Sequence, residues 1–421
     1  MTAHADDSIW ADRSGFDLEN WSTDPLPKLR HALTHARSGA VQTIESEAER
    51  HMRVLIVGGG VIGTSIAYRL AARGADVIVI ERRAVACAAS GKSGGFLAMD
   101  WCDGTPLMHI ARRSFALHAE LADECNGAWG YRRLTTYGGV LSRSSSSASR
   151  RAGPGWLSPN ISIHGQLGSM GTTAQVQPAA FTAGMMHAAQ ARGAELRLGR
   201  VTGLLRRGED VVGVDLDGEA LEGDAVVIAM GPWSVLAAQW LSLPPVFGLK
   251  GHSLVFETGT AIPSEALFLE YTEAAGSILS PEIFPRADGT TYVCAISSDA
   301  PLPADPGLVV PDEGAIDRLT ALCARISPIL APSRVLSNQA CFRPVTQDGL
   351  PLIGAIPGAP GAYVATGHSV WGILNAPATG EAVAELILDG APRAVAISSF
   401  DPARLEAVDP NRVIVTRGRL G

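Results

Sequence analysis

The chain reads as an α/β protein in which a Rossmann-like nucleotide-binding domain, interrupted along the sequence, adjoins a second domain built on a mixed or antiparallel sheet. Three observations predict this. Val54 to Gly63, V-L-I-V-G-G-G-V-I-G, joins an apolar strand to a glycine turn that opens a helix. Residues 246–300 carry short alternating strands such as H-S-L-V-F and T-Y-V-C-A. The last third then returns to a strand, a turn and a helix in A-Y-V-A-T-G-H-S-V-W-G-I-L-N-A-P-A-T-G.

Each element has a physical reason. Gly58 permits the tight turn, Gly60 lets the backbone approach a pyrophosphate, and Gly63 lets helix and strand pack closely. Val61 and Ile62 open the helix, whose N-terminus carries partial positive charge suited to phosphate. Ile62, Ile66 and Leu70 form an i, i+4, i+8 stripe that stops at Gly74. A second strand, V-I-V-I, delivers Glu81 and Arg82, with the acid placed to accept a ribose hydroxyl. A small-residue loop follows, containing Ser90, Gly91, Lys92, Ser93, Gly94 and Gly95, and its backbone amides suit a flat ligand. The Ser-rich stretch from Ser142 to Arg151 reads as an exposed loop. From Gln175 come a helix through Phe181 and Met185, then strands A-E-L-R-L, V-T-G-L-L with Val201, and V-V-G-V-D-L. The buried strand D-A-V-V-I-A-M-G-P-W ends at Gly231, Pro232 and Trp233, and ligands bind at such strand ends. The final helix is expected to begin with Pro377 in its first turn.

At 421 residues with 46% hydrophobic side chains, the chain can bury a large core. Its net charge of −8, without a basic stripe, speaks against nucleic acid as a partner. No apolar run reaches membrane-spanning length. Six cysteines without a C-x-x-C pair argue against zinc and disulfides and fit a reducing cytoplasm. His31 and His35 have the spacing of metal ligands but lack a third ligand nearby, so no metal is expected. The acidic leader allows two expectations: an upstream reading with Met52 as the start, or an extension in which Pro25 to Glu49 forms a surface helix.

From Met52 to about Gly390 these segments resemble the FAD-dependent amine and amino-acid oxidase superfamily, which includes D-amino acid oxidase, glycine oxidase and sarcosine oxidase. A-S-G-K-S-G-G-F-L-A-M-D-W-C looks similar to a branch of FAD oxidoreductases found in fungi and plants. The resemblance implies FAD, with its ADP part on the first turn, its ribose at Glu81, its adenine beside Val201 and its isoalloxazine beside Gly367, His368, Trp371, Gly372 and Ile373. Domain bounds follow as 1–51 for an extension, 52–135, 170–240 and 340–395 for FAD binding, 136–169 and 241–339 for substrate, and 396–421 for a tail.

In glycine oxidase-like enzymes the arginine of an R-P-x-T-x-D-G-x-P segment pairs with the substrate carboxylate, and Arg343 in C-F-R-P-V-T-Q-D-G-L-P stands there. A guanidinium grips a carboxylate through two parallel hydrogen bonds. The competing role is a pair with a structural acid such as Asp348. Such sequences often carry a second arginine after the G-H, where this chain has Ser369, Val370 and Trp371, which leaves room for a bulkier or less acidic substrate. Cys341 stands where sarcosine oxidase-like proteins bond covalently to flavin; the other reading, which the residue type favours, is a small buried hydrophobe for packing. Lys250 and His252 either face the flavin, where a cation would help oxygen accept electrons, or finish a strand; Trp101 and Trp371 either line the pocket or pack. The implied activity is oxidation of a C–N bond in a small amine or amino acid, with oxygen or another electron acceptor. A nicotinamide-dependent dehydrogenase and a non-catalytic flavoprotein platform are the alternatives.

Overall fold

The structure is a computed structural model that describes residues 51–143 and 153–409. The expected surface helix Pro25 to Glu49, His31, His35, most of the Ser-rich stretch and the end of the tail lie outside the described residues.

Six strands form the first sheet, in the order Leu352–Ala355, Ala362–Thr366, Ala225–Ile228, Arg53–Val57, Asp76–Glu81, Glu195–Leu198. All pairs are parallel except that of the edge strand Leu352–Ala355 with its neighbour. Parallel strands covered on both faces need apolar side chains in both directions, and the run Val54 to Val57 shows it. Val54 and Ile56 enter one core with Val77, Val79 and Val227. Leu55 and Val57 enter another, completed by Val211 and Val214 of a three-stranded meander spanning 201–222.

Helices α1 (Val61–Ala71), α2 (Ala89–Lys92), α3 (Met108–Glu124), α4 (Pro178–Gln190), α5 (Ala315–Ile326) and α6 (Gly372–Asp389) complete the frame. The first core lies against α1, α3, α4 and α6. Gly63 in α1 permits the close approach: a Cβ there would stand 2.0 Å from the Gly58 carbonyl oxygen. The sequence reading did not place α3 or α5, although Ile110, Ser114, Leu117, His118 and Leu121 bury one face of α3 at helical spacing.

The last helix corrects an expectation. It begins at Gly372, and Pro377 lies inside it. A proline lacks the N–H that would bond the carbonyl four residues back, here that of Ile373. The neighbouring helix α3 repairs the gap. His118 Nε2 donates to the carbonyls of Ile373 at 2.9 Å and Leu374 at 3.2 Å, while Ser114 Oγ accepts the Ala378 N–H at 3.0 Å. Local sequence favoured a helix start at the proline; tertiary packing let the helix start one and a half turns earlier.

The second large sheet has eight strands, ordered Val335–Val345, Phe247–Glu257, Thr290–Ser298, Glu282–Pro285, Glu265–Thr272, Thr135–Leu141, Ile161–Gly168, with Ile278–Leu279 beside Glu265–Thr272. It is mixed, since Glu265–Thr272 runs parallel to Thr135–Leu141 and the other pairs are antiparallel. Val335–Val345, which crosses the expected boundary at 340, pairs with Phe247–Glu257 along its length. Helix α5 closes this sheet's core through Leu319, Leu322 and Ile326. Among the described residues no helix is long and apolar enough to cross a membrane.

Candidate active site

A cavity of about 420 Å³ is lined by the glycine turn, by the ends of the six-stranded sheet and by residues of the eight-stranded sheet. One end is made by sequence neighbours. Gly58, Gly60, Val61, Ile62, Glu81, Arg82, Ser90, Ser93 and Gly94 line it, with Val201 opposite. Glu81 accepts the amide of Gly59 at 2.8 Å and that of Arg83 at 2.9 Å. Oε1 also takes a weak contact from the Cys87 thiol at 3.9 Å, whereas Oε2 keeps a second lone pair, so acceptor capacity remains for a ribose hydroxyl. Ser90 Oγ accepts the Val61 N–H at 2.9 Å and so ties the second loop to the first turn of α1.

Several expected residues serve this end without lining it. Gly63 packs helix on strand, as described above. Lys92 donates to the Ala340 carbonyl at 3.3 Å, and Gly91 and Gly95 allow the loop to pass close to the carbonyls of Ala86 and Val176. Arg82 holds a strap that sequence reading missed. It donates to the Ala304 carbonyl at 2.7 Å and meets Asp305 at 3.0 Å; Arg83 meets the same carboxylate at 2.6 Å. Trp233 Nε1 donates to the Pro303 carbonyl at 2.8 Å. These bonds bring Ala304 and Pro306 into the cavity lining. The arginines hold the Asp305 carboxyl below the usual range.

The middle of the cavity is lined by Gly231, Trp233, Gly367, His368, Gly372 and Ile373. His368 Nε2 hydrogen-bonds Thr379 Oγ1 at 3.1 Å, and burial pushes its imidazole down to about 3, so it is neutral at working pH. Ser93 Oγ and His368 Nδ1 are buried without a partner among the described residues. Buried polar atoms normally have one. Both residues line the cavity, so the donor set fits a polar, flat cofactor. Trp371 does not line the cavity and packs against the main core instead. Trp101 does not line the cavity and packs at a tilt against Phe96 and Phe268, at centroid distances of 5.1 Å and 4.8 Å.

Long-range pairing assembles the other end. Arg343 and Cys341 come from Val335–Val345, Gly251 and His252 from Phe247–Glu257, Tyr292 and Cys294 from Thr290–Ser298, and Glu282 from Glu282–Pro285. Among the described residues the Arg343 guanidinium makes no ion pair or protein hydrogen bond. Asp348, the competing partner, is taken by Arg404 at 2.7 Å and 3.0 Å and held down to about 2. Burial raises the Cys341 thiol, against opposing pulls from Arg343 and Lys92. Lys250 is corrected: its ammonium is committed to Asp312 and does not line the cavity, because a buried lysine needs a carboxylate. His252 lines the cavity, yet both ring nitrogens are engaged, Nδ1 with the Ile296 carbonyl at 3.2 Å and Nε2 with the Asp312 N–H at 3.0 Å. Among the described residues no His, Cys, Asp and Glu side chains gather as a metal ion would need.

The family model described as DAO, FAD dependent oxidoreductase, matches residues 53–386. A Schizosaccharomyces pombe protein that carries an oxidoreductase name is 31% identical over 381 residues, covering 83% of this chain and 97% of its own. Glycine oxidase of Bacillus licheniformis is 29% identical over 376 residues, covering 84% and 98%. The crystal structure of glycine oxidase from Geobacillus kaustophilus superposes with a TM-score of 0.69 at 24% identity, over 84% of this chain and 99% of that one, which shows a shared fold.

Proposed function

This chain belongs to the DAO family of FAD dependent oxidoreductases, and on that premise we propose that it oxidises the C–N bond of a small amino acid gripped through its carboxylate by Arg343. The enzyme uses FAD, which supplies hydride acceptance when bound. The observation that carries the substrate reading is Arg343 itself: a guanidinium in the cavity lining with no partner among the described residues. A fixed fork of donors left open in a cavity suits a carboxylate.

The chain's own residues would divide the work. Glu81, Val201 and the glycine turn hold the ADP part. Ser93, His368 and the first turn of α6 would flank the flavin, where Gly372 and Ile373 would present a helix N-terminus to developing negative charge. Neutral His368 offers Nδ1 for one hydrogen bond.

Oxygen is the acceptor we propose, in line with the oxidase names of the glycine oxidase relatives. The free cysteines support a reducing compartment, and we place the protein in the cytoplasm. The test is a panel of amino acids and simple amines scored for flavin bleaching without air and for peroxide yield with air. Turnover confined to amines lacking a carboxylate, or unaltered in Arg343→Ala, would reject the grip; reduction without peroxide would replace oxygen with another acceptor.

A further inference from the structure

Glu282 is a second charged group in the same lining that neither the motif nor the family match assigns. It sits three strands from Arg343 in the sheet order, and Gly251 lies on the strand between Arg343 and Cys294. A Cβ at Gly251 would stand 3.3 Å from Arg343 Nη2, so the arginine lies across that glycine. The guanidinium acts electrostatically on both Glu282 and Cys294. No ion pair joins Arg343 to Glu282. The hydrogen bond recorded for the Glu282 carboxyl is the weak one from Cys294 Sγ at 3.4 Å. A guanidinium and a carboxyl group thus face one cavity, each without a strong partner among the described residues. Both residues are half-buried; an ionisable group drawn partly out of water without a partner is costly, and a ligand that carries both complements would relieve that cost.

We propose that Glu282 receives the amino group of the substrate, so that Arg343 and Glu282 together select an amino acid zwitterion over a plain amine or a plain acid. This rests on the reading that Arg343 holds a carboxylate. The step is a proton transfer: an N–H bond of the ammonium breaks, an O–H bond forms on the Glu282 carboxylate, and the nitrogen keeps the electron pair. The free amine is the form from which C–N oxidation proceeds. Burial pushes the Glu282 carboxyl up, with Arg343 pulling it back, and a raised carboxyl is the better proton acceptor.

The test uses holoprotein and three probes of similar size that lack the hydrogen needed for oxidation: 2-amino-2-methylpropanoate, 2,2-dimethylpropanoate and tert-butylamine. Dissociation constants are read from the perturbed flavin spectrum. The wild type is expected to bind the amino acid at least about tenfold more tightly than the plain acid, and Glu282→Gln to lose that preference while binding the plain acid within about twofold. Arg343→Ala should weaken both acids and spare tert-butylamine. An unchanged ratio in Glu282→Gln, or no preference in the wild type, overturns the role of Glu282 while leaving the arginine reading intact. Equal binding of the acids by wild type and Arg343→Ala overturns the carboxylate grip instead. Should Glu282→Gln retain less flavin, Glu282→Asp serves in its place, with a reduced but surviving preference expected and an undiminished one counting against the proposal.

Discussion

The two ends of the cavity are built in opposite ways. At the nucleotide end, Gly58 to Gly63, Glu81 and Ser90 to Gly94 lie within forty residues of one another, and short hydrogen bonds such as Glu81 to Gly59 and Ser90 to Val61 close the site locally. At the proposed substrate end, Arg343, Gly251, Cys294 and Glu282 come from four strands whose order in the sheet differs from their order in the chain. The first end is a motif; the second is a product of strand pairing. Damage to the first should remove the cofactor, whereas damage to the second should spare it and alter turnover.

The largest effect that would break this contrast is at Gly63. Gly63→Val places a branched side chain against the Gly58 carbonyl, where even a Cβ would be at 2.0 Å. Purified protein is expected to lose its flavin absorbance and much of its melting transition. Full retention of flavin would mean that the turn is not a close-packed unit.

Arg343→Ala makes the opposite prediction. Flavin content should match the wild type, while kcat/KM for a carboxylated substrate falls by about 2–4 kcal/mol of lost charge-assisted hydrogen bonding. Loss of flavin with the arginine would show that the two ends are not separable.

His118 tests the helix both ends share, because α6 starts at the flavin side and depends on α3 to bridge its proline. Burial holds this imidazole down to about 4, from an ordinary value near 6.5. The folded state therefore stays unprotonated where the unfolded chain takes up a proton. The stability from this group is present above pH 6.5 and is lost as pH falls toward 4, about 2 kcal/mol between pH 7 and pH 5. Urea titrations at the two pH values should show that loss in the wild type and a smaller one in His118→Gln. Equal losses would remove His118 from the account.

Asp305 sharpens the comparison on the nucleotide side with a smaller effect. It ties the strap to Arg82 and Arg83, and Arg83 is half exposed. Asp305→Ala should speed FAD release by about twofold to fivefold, in keeping with a partly solvated pair worth under about 1 kcal/mol. Stopped-flow displacement of FAD measures it. For Cys341 we expect no change at all: burial keeps the thiol protonated, so acid precipitation should leave yellow colour in the supernatant from wild type and Cys341→Ser alike. Colour in the wild-type pellet would establish a covalent bond.

Legibility followed the same divide. The glycine turn, Glu81 and the strand Ala225–Ile228 could be read because contacts over a few residues leave a local pattern of strand period, helix period and turn glycines. Helices α3 and α5 had that pattern too and were passed over. Lys250 was misplaced because a strand fixes which face a side chain takes but not which carboxylate waits there; Asp312 is 62 positions away. Glu282 gave no signal, since an acid in P-E-I-F-P looks like a solvated strand end until its neighbours are known.

By itself, then, the sequence determined a Rossmann-like unit, its glycine turn and a second sheet left as mixed or antiparallel, and it singled out Arg343 as a candidate. The tertiary structure alone decided that Asp348 belongs to Arg404 and leaves Arg343 open, that α6 runs through Pro377 on the support of His118 and Ser114, and that Glu282 faces the same cavity as Arg343. The physical reason is range. Propensity, turn geometry and periodicity act over a few residues, whereas charge partners and donors for a broken helix are supplied by whichever segment packing brings alongside.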